Sequence, residues 1–314
     1  MAQETIVTLT INPALDRNTR VERVNPNEKL RCQAPEREPG GGGINVSRAI
    51  QRLGGESLAI YPCGGPIGEV FKTLLDEEGV EQQPIGIADT TRENVTVFEE
   101  SANQHYIFIM PGPELREAEW QGVLDALERL DPTPDYVVAS GSRPPGVPED
   151  FYRRVAELSQ SQGSRLIVDT SGEPLSLAAE AGVYLLKPNM RELGQLAGQE
   201  IDSEEHQIEA AKGLLESGQA EVVVVSMGAG GALLVTDELG EHLRTPTVPI
   251  RSRLGAGDSM VAGIVLGLAR GERVLEATRF GIAAGASAVM TPRTELCRRE
   301  DTERLYERLV SGEE

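Results

Sequence analysis

Short runs of apolar, mostly β-branched residues recur along the chain, and stretches with helical spacing lie between them. The runs are TIVTLT (5–10), SLAIYP (57–62), DYVVAS (135–140), RLIVDT (165–170), VYLLKP (183–188) and EVVVVS (221–226). Several are apolar at consecutive positions, which suits strands buried on both faces. Amphipathic patterns fill 44–53, 67–78, 117–130, 149–162, 173–181, 190–198 and 204–217. Strand and helix alternating in this way predict an α/β fold, a mostly parallel central sheet with helices on both faces. The segments 17–38 and 92–110 break the rhythm; in the second, ENVTVFEE and HYIFIM alternate apolar and polar residues around SANQ. They read as strands of a small separate sheet, which must cover something or pair with another subunit.

A chain of 314 residues suffices for one large domain or two ordinary ones, and neither an internal repeat nor a low-complexity linker divides it. Fifty acidic against thirty basic residues give a net charge of −20, which repels nucleic acid and anionic membrane surfaces at long range. Neither is an expected partner. The opening MAQETIVTLTINPALD lacks a basic n-region, and no run approaches the roughly 18 apolar residues of a membrane span, so a cytoplasmic location is expected. Cys32, Cys63 and Cys297 are far apart and lack Cys-x-x-Cys spacing, which suggests neither a disulfide framework nor a zinc site. His105, His206 and His242 are equally scattered and read as surface residues.

Glycine-rich stretches carry the chemical signals. In PGGGGINVSRAIQRLGG (39–55), Ile44, Val46, Ala49, Ile50 and Leu53 fit a helix, so Gly40 to Gly43 offer an approach free of side chains to its N-terminus. No Gly-Lys-Ser/Thr follows, and Asn45 stands where a dinucleotide fingerprint needs its third glycine. In SRLGAGDSMVAGIVLGLA (252–269), Gly255, Ala256 and Gly257 precede Asp258, and Gly263 and Gly267 share a helical face that another backbone can approach. Asp258 is either a helix N-cap or a base beside amide donors that hold a group in transfer. In LLKPNMREL (185–193), Asn189 and Glu192 form either a capping box or a pair that orients water around magnesium. VVVVSMGAGGALLV (222–235) reads as strand, glycine turn and strand, a hairpin or a bed for a nucleotide.

Taken together and in this order, GGGGINV, KPNMRE and GAGDSMVAG resemble the signatures of the phosphofructokinase B family of ribokinase-like sugar kinases. NPALD (12–16), NEKLRC (27–32), SGSRPPG (140–146) and RFGIAAGASA near the C-terminus extend the resemblance over nearly the whole chain. The resemblance implies a single ribokinase-like domain over 1–314, three layers with a small β-sheet lid from about 17–38 and 92–110, and a homodimer through that lid. It implies ATP-dependent phosphorylation of fructose 6-phosphate at its 1-hydroxyl, with Asp258 as general base and the amides of Gly255, Ala256, Gly257 and Asp258 as anion hole. Fructose 1-phosphate and tagatose 6-phosphate are the alternative acceptors, and a silent sugar-phosphate sensor is the alternative of another class. By the same resemblance Asp16, Lys29, Gly41, Gly42, Asn45, Arg92 and Ser142 hold the sugar phosphate. Lys187, Asn189, Glu192, Ser226, Gly228 and Gly231 fall on the nucleotide side, with Mg2+ reached from Glu192 through water. K+ would sit by Ser252, Leu254, Ala288, Thr291 and Arg293, although Arg253, Pro292 and Arg293 depart from the family pattern there.

Overall fold

Each apolar run becomes a strand with little exposed surface, and each amphipathic stretch a helix that covers the strands. The computed structural model describes residues 3–292 and 295–312. In chain order the elements are β1 (Ile6–Leu9), β2 (Ala14–Val21), β3 (Glu36–Gly40), α1 (Gly42–Arg52), β4 (Leu58–Cys63), α2 (Gly65–Glu77), β5 (Glu81–Gly86), β6 (Arg92–Glu99) and β7 (Gln104–Phe108). There follow α3 (Glu117–Glu128), β8 (Tyr136–Ser140), α4 (Phe151–Gln162), β9 (Arg165–Asp169), α5 (Glu173–Glu180), β10 (Val183–Leu186), α6 (Met190–Ala197), α7 (Glu204–Glu216) and β11 (Ala220–Ser226). The chain closes with β12 (Ala232–Val235), β13 (Gly240–Leu243), α8 (Ala256–Ala269), α9 (Val274–Met290) and α10 (Arg299–Ser311).

The main sheet runs in the order β13-β12-β11-β10-β9-β8-β1-β4-β5. It is parallel from β5 through β11, and β12 and β13 add antiparallel at one edge. Helices α3, α4, α5 and α7 pack residues such as Trp120, Phe151, Leu175 and Leu214 against one face. Helices α1, α8 and α9 pack Val46, Ile50, Val261, Val265 and Ala284 against the other. These are three layers, as strands apolar on both faces require. A methyl on Gly263 would lie 2.7 Å from the Gly281 Cα, and one on Gly267 would lie 2.9 Å from the Ala277 Cα, so the small-residue face of α8 is where α9 comes close. Among the described residues no helix is long and apolar enough to cross a membrane.

The segments that break the strand-helix rhythm form a second sheet, in the order β3-β2-β6-β7. Its parallel centre pairs Asp16 with Asn94 and Asn18 with Thr96, which puts a polar row on one face; Asn18, Asn94 and Thr96 are buried. Val95 and Val97 face the other way, beside Phe108 and Tyr106 of β7. The alternation seen in the sequence is therefore real, but the enclosed row is the polar one. Ile107, Phe108, Ile109 and Met110 are exposed, Ile109 to 65%.

Candidate functional site

The C-terminal ends of the parallel strands converge on the start of α8, where ligands of open α/β sheets bind. Gly255, in the left-handed region at φ 73°, is the N-cap of α8, so Asp258 stands in the first turn instead of capping it. The amides of Ala256, Gly257 and Asp258 thus belong to the orphan donors of a helix start; the next, Ser259, reaches the Gly255 carbonyl at 2.9 Å. The Asp258 Oδ2 accepts a hydrogen bond from the Asn45 Nδ2 at 2.9 Å. Enclosure by protein, followed by the negative charge of Asp169, pushes the Asp258 pKa up to about 7, against the Asn45 bond and the Lys187 charge. A carboxyl so placed exchanges a proton near neutrality.

Lys187, at the end of β10, is buried and pairs through Nζ with the Asp169 Oδ1 at 3.2 Å. Its ammonium lies 3.9 Å from where a methyl on Gly257 would stand. Asn189 and Glu192 form a complete capping box at the start of α6: the Glu192 amide donates to Asn189 Oδ1 at 3.0 Å, and the Asn189 amide to Glu192 Oε2 at 2.9 Å. Ser226 ends β11 and donates its amide to the Pro188 carbonyl at 2.9 Å, joining the segments that follow β10 and β11. Gly228 opens a short turn between β11 and β12, and Gly231, at φ 93°, packs against the Leu243 carbonyl.

Among the residues expected around the sugar phosphate, Asp16 receives the Asn94 Nδ2 at 2.8 Å, and burial raises its pKa. The glycines of 40–43 are tightly packed. A methyl on Gly40 would overlap the Asp16 carboxylate, one on Gly42 the Ser140 hydroxyl, and one on Gly43 would stand 2.6 Å from Thr10 Oγ1. Gly41, at φ 119°, caps α1 and allows the turn. Asn12 donates to Ser142 Oγ at 3.2 Å. The Arg92 guanidinium opens β6 and donates to the carbonyls of Asn12 at 2.8 Å and Met110 at 2.9 Å, bracing the loops that flank the small sheet. Lys29 is exposed on the irregular stretch between β2 and β3, and is not drawn into this cluster.

The residues expected around potassium divide. Ser252 is buried, its Oγ takes the Leu254 amide at 3.2 Å, and its own amide donates to the Val289 carbonyl at 3.3 Å. The Ala288 carbonyl already accepts both the amide and the hydroxyl of Thr291, at 3.1 and 2.7 Å, which fills its two lone pairs. Arg293 lies outside the described residues.

The pfkB family carbohydrate kinase model matches residues 7–301. The chain belongs to that family. Its fold is ribokinase-like, and it is 46% identical to the ATP-dependent 6-phosphofructokinase isozyme 2 of Mycobacterium tuberculosis over 96% of this chain and 89% of that protein. The crystal structure of phosphofructokinase-2 from Escherichia coli in complex with fructose-6-phosphate superimposes with a TM-score of 0.92 at 41% identity, covering 98% of this chain and 99% of that one. The same enzyme in complex with potassium gives 0.94 at 41% identity, with the same coverage.

Four residues of the cluster were not singled out from the sequence. Asp169 closes RLIVDT, and a carboxylate at the C-terminal end of a buried parallel strand was the signal for it. Arg48, a charge in the run INVSRAI, is 2% exposed and bonds the Glu78 carboxylate, the Pro39 carbonyl and Asn45. Asn12 opens the NPALD stretch that carries part of the resemblance, whereas Asn94 carried no local signal, because only the fold brings it to Asp16.

Proposed function

We propose that this chain transfers the γ-phosphoryl group of ATP to the 1-hydroxyl of fructose 6-phosphate, giving fructose 1,6-bisphosphate and ADP. The observation that carries the reading is Asp258: a carboxyl tuned to near neutrality, held by Asn45, beside the free amides at the start of α8. Asp258 accepts the hydroxyl proton as the oxygen attacks phosphorus. The amides of Ala256, Gly257 and Asp258, with the Lys187 ammonium near Gly257, stabilise charge on the transferred group. Asp16 and the polar row of the small sheet hold sugar hydroxyls, and Arg92 turns its remaining donors to the 6-phosphate. The overlap with an enzyme crystallised with fructose-6-phosphate supports this acceptor.

The described residues hold no group of three or more metal-ligating side chains. That sparse set suits magnesium, which keeps its waters and binds through one or two carboxylates and substrate phosphates. Glu192, with one carboxylate oxygen outside the capping box, would reach it through water, and it would neutralise charge on the triphosphate. The main chain at Ser252 and Leu254 is the part of the potassium set that fits. A cytoplasmic enzyme goes with this reading, as does a dimer through the exposed row from Ile107 to Met110.

A coupled assay of ADP release with fructose 6-phosphate, fructose 1-phosphate and tagatose 6-phosphate, with and without potassium, tests it. The expected result is a kcat/KM at least roughly tenfold higher for fructose 6-phosphate, a gap of about 1.4 kcal/mol or more. A preference for fructose 1-phosphate would overturn the acceptor assignment, and no turnover with any of them would favour a sensor.

A further inference from the structure

Asn45 sits between two groups of opposite hydrogen-bonding character. Its Nδ2 donates to Asp258 Oδ2 at 2.9 Å, and its Oδ1 faces Arg48 Nη1 at 3.5 Å, the long limit of a hydrogen bond. Arginine has only donors and an ionised carboxylate only acceptors, so this arrangement leaves the carboxamide one orientation. Turned over, the amide would present its oxygen to Asp258 and its N–H groups to Arg48. It would then accept a hydrogen bond from the protonated Asp258 carboxyl and so stabilise the acid form, which cannot act as a base.

Arg48 is firmly placed to prevent that. Its Nε bonds both Glu78 oxygens at 3.0 and 2.9 Å, its Nη2 bonds Glu78 Oε1 at 2.6 Å, and its Nη1 bonds the Pro39 carbonyl at 2.7 Å. The ion pair thus ties the end of α2 to the glycine loop before α1. We propose that Arg48 is a positioning residue for phosphoryl transfer, holding the Asn45 carboxamide so that its N–H stays turned to Asp258 and keeps the base in its acceptor form. This rests on Asp258 being the base.

The charged groups around the pair are fixed from several elements. Asp169 from β9, Lys187 after β10 and Asp16 from β2 act on Asp258. Arg52 lies 3.8 Å from Glu78 and shares that carboxylate with Arg48. Glu38, Arg92 and Arg48 itself act on Asp16.

The test is the pH dependence of kcat in Arg48→Lys, which keeps a charge for Glu78 but lacks the planar fork that reaches Glu78, Pro39 and Asn45 together. The acid limb should move up by about one pH unit, so kcat falls about fivefold at pH 7 and recovers to within about twofold at pH 9. The KM for ATP should stay within about threefold. In an Asn45→Ala background, adding Arg48→Lys should move the limb no further. Should Arg48→Lys not fold, Glu78→Gln keeps the guanidinium, loosens its anchor and should give a smaller shift in the same direction. An unmoved limb in the folded variant, or an equal shift in the Asn45→Ala background, would overturn the proposal. Asp258→Asn separates the two readings: a limb that survives it defeats the base assignment itself, whereas a limb that vanishes there but ignores Arg48 defeats only the positioning role.

Discussion

Helices α1 and α8 both start on glycines, and the two starts use glycine in opposite ways. At α1 the absent side chains are filled by neighbours: Asp16 presses on Gly40, Ser140 on Gly42, and Thr10 on Gly43, while Thr10 Oγ1 also accepts the Ile44 amide at 2.8 Å. At α8 the space over Gly257 is open, with only the Lys187 ammonium near it, at 3.9 Å from a methyl placed there. The first cluster is glycine because backbone and side chains must touch; in the second, Gly255 is required by its left-handed backbone, while Gly257 has open space beside it. A run of glycines in a sequence is silent between these two meanings. Here the difference also divides the roles, since α1 delivers Asn45 to Asp258 and α8 supplies Asp258 and the amides.

Substituting the glycines tests the contrast, and the largest effect belongs to Gly42→Ala. The new methyl meets the Ser140 hydroxyl and lies 2.8 Å from the Gly141 nitrogen, a backbone atom that cannot swing aside. Thermal or denaturant unfolding should show a loss of about 3 kcal/mol, as for other overpacked sites. Gly257→Ala should behave the other way. Alanine is the better helix former and meets no wall, so stability should hold or rise, while kcat drops about tenfold because the methyl crowds the path to Lys187. Equal destabilisation by both substitutions would erase the contrast.

A further expected effect is on stability at Asp258. Burial raises its folded pKa to about 7 from an ordinary 3.8. An acid raised in this way costs nothing below the unfolded pKa; the cost grows as pH rises from about 4 to 7 and is constant above that. Asp258→Asn should therefore raise Tm by several °C at pH 8 and leave it unchanged near pH 4. A Tm that falls at pH 8 would show that the carboxylate is a structural partner, not a group held at a cost.

What could be read from the sequence follows the same division. The runs that became β1, β4, β8, β9, β10 and β11 were legible because burial on both faces forces consecutive apolar residues. The strand β5 was not, since EQQPIG is an edge strand with one neighbour, carries Pro84 and is only part-buried. Short β13 at the other edge was missed for the same reason. The glycine motifs announced a site but not its electrostatics. Asp169 at the end of β9, Lys187 just after β10 and Asp16 within β2 act on Asp258 from three separate segments, a juxtaposition that no local pattern encodes. Arg48 was hidden by its surroundings, because a charge in an apolar helix reads as surface until Glu78 is seen to pair with it.

The most direct test of Asp258 as the base is kcat/KM against pH, which reports the free enzyme, for the wild type and for Asp258→Asn. Wild-type kcat/KM should fall about tenfold per pH unit below a limb near 7, and Asp258→Asn should be flat there and lower by about 10²–10⁴ at pH 8. A variant that keeps both the limb and a rate within about tenfold of wild type would contradict the assignment of proton transfer to Asp258.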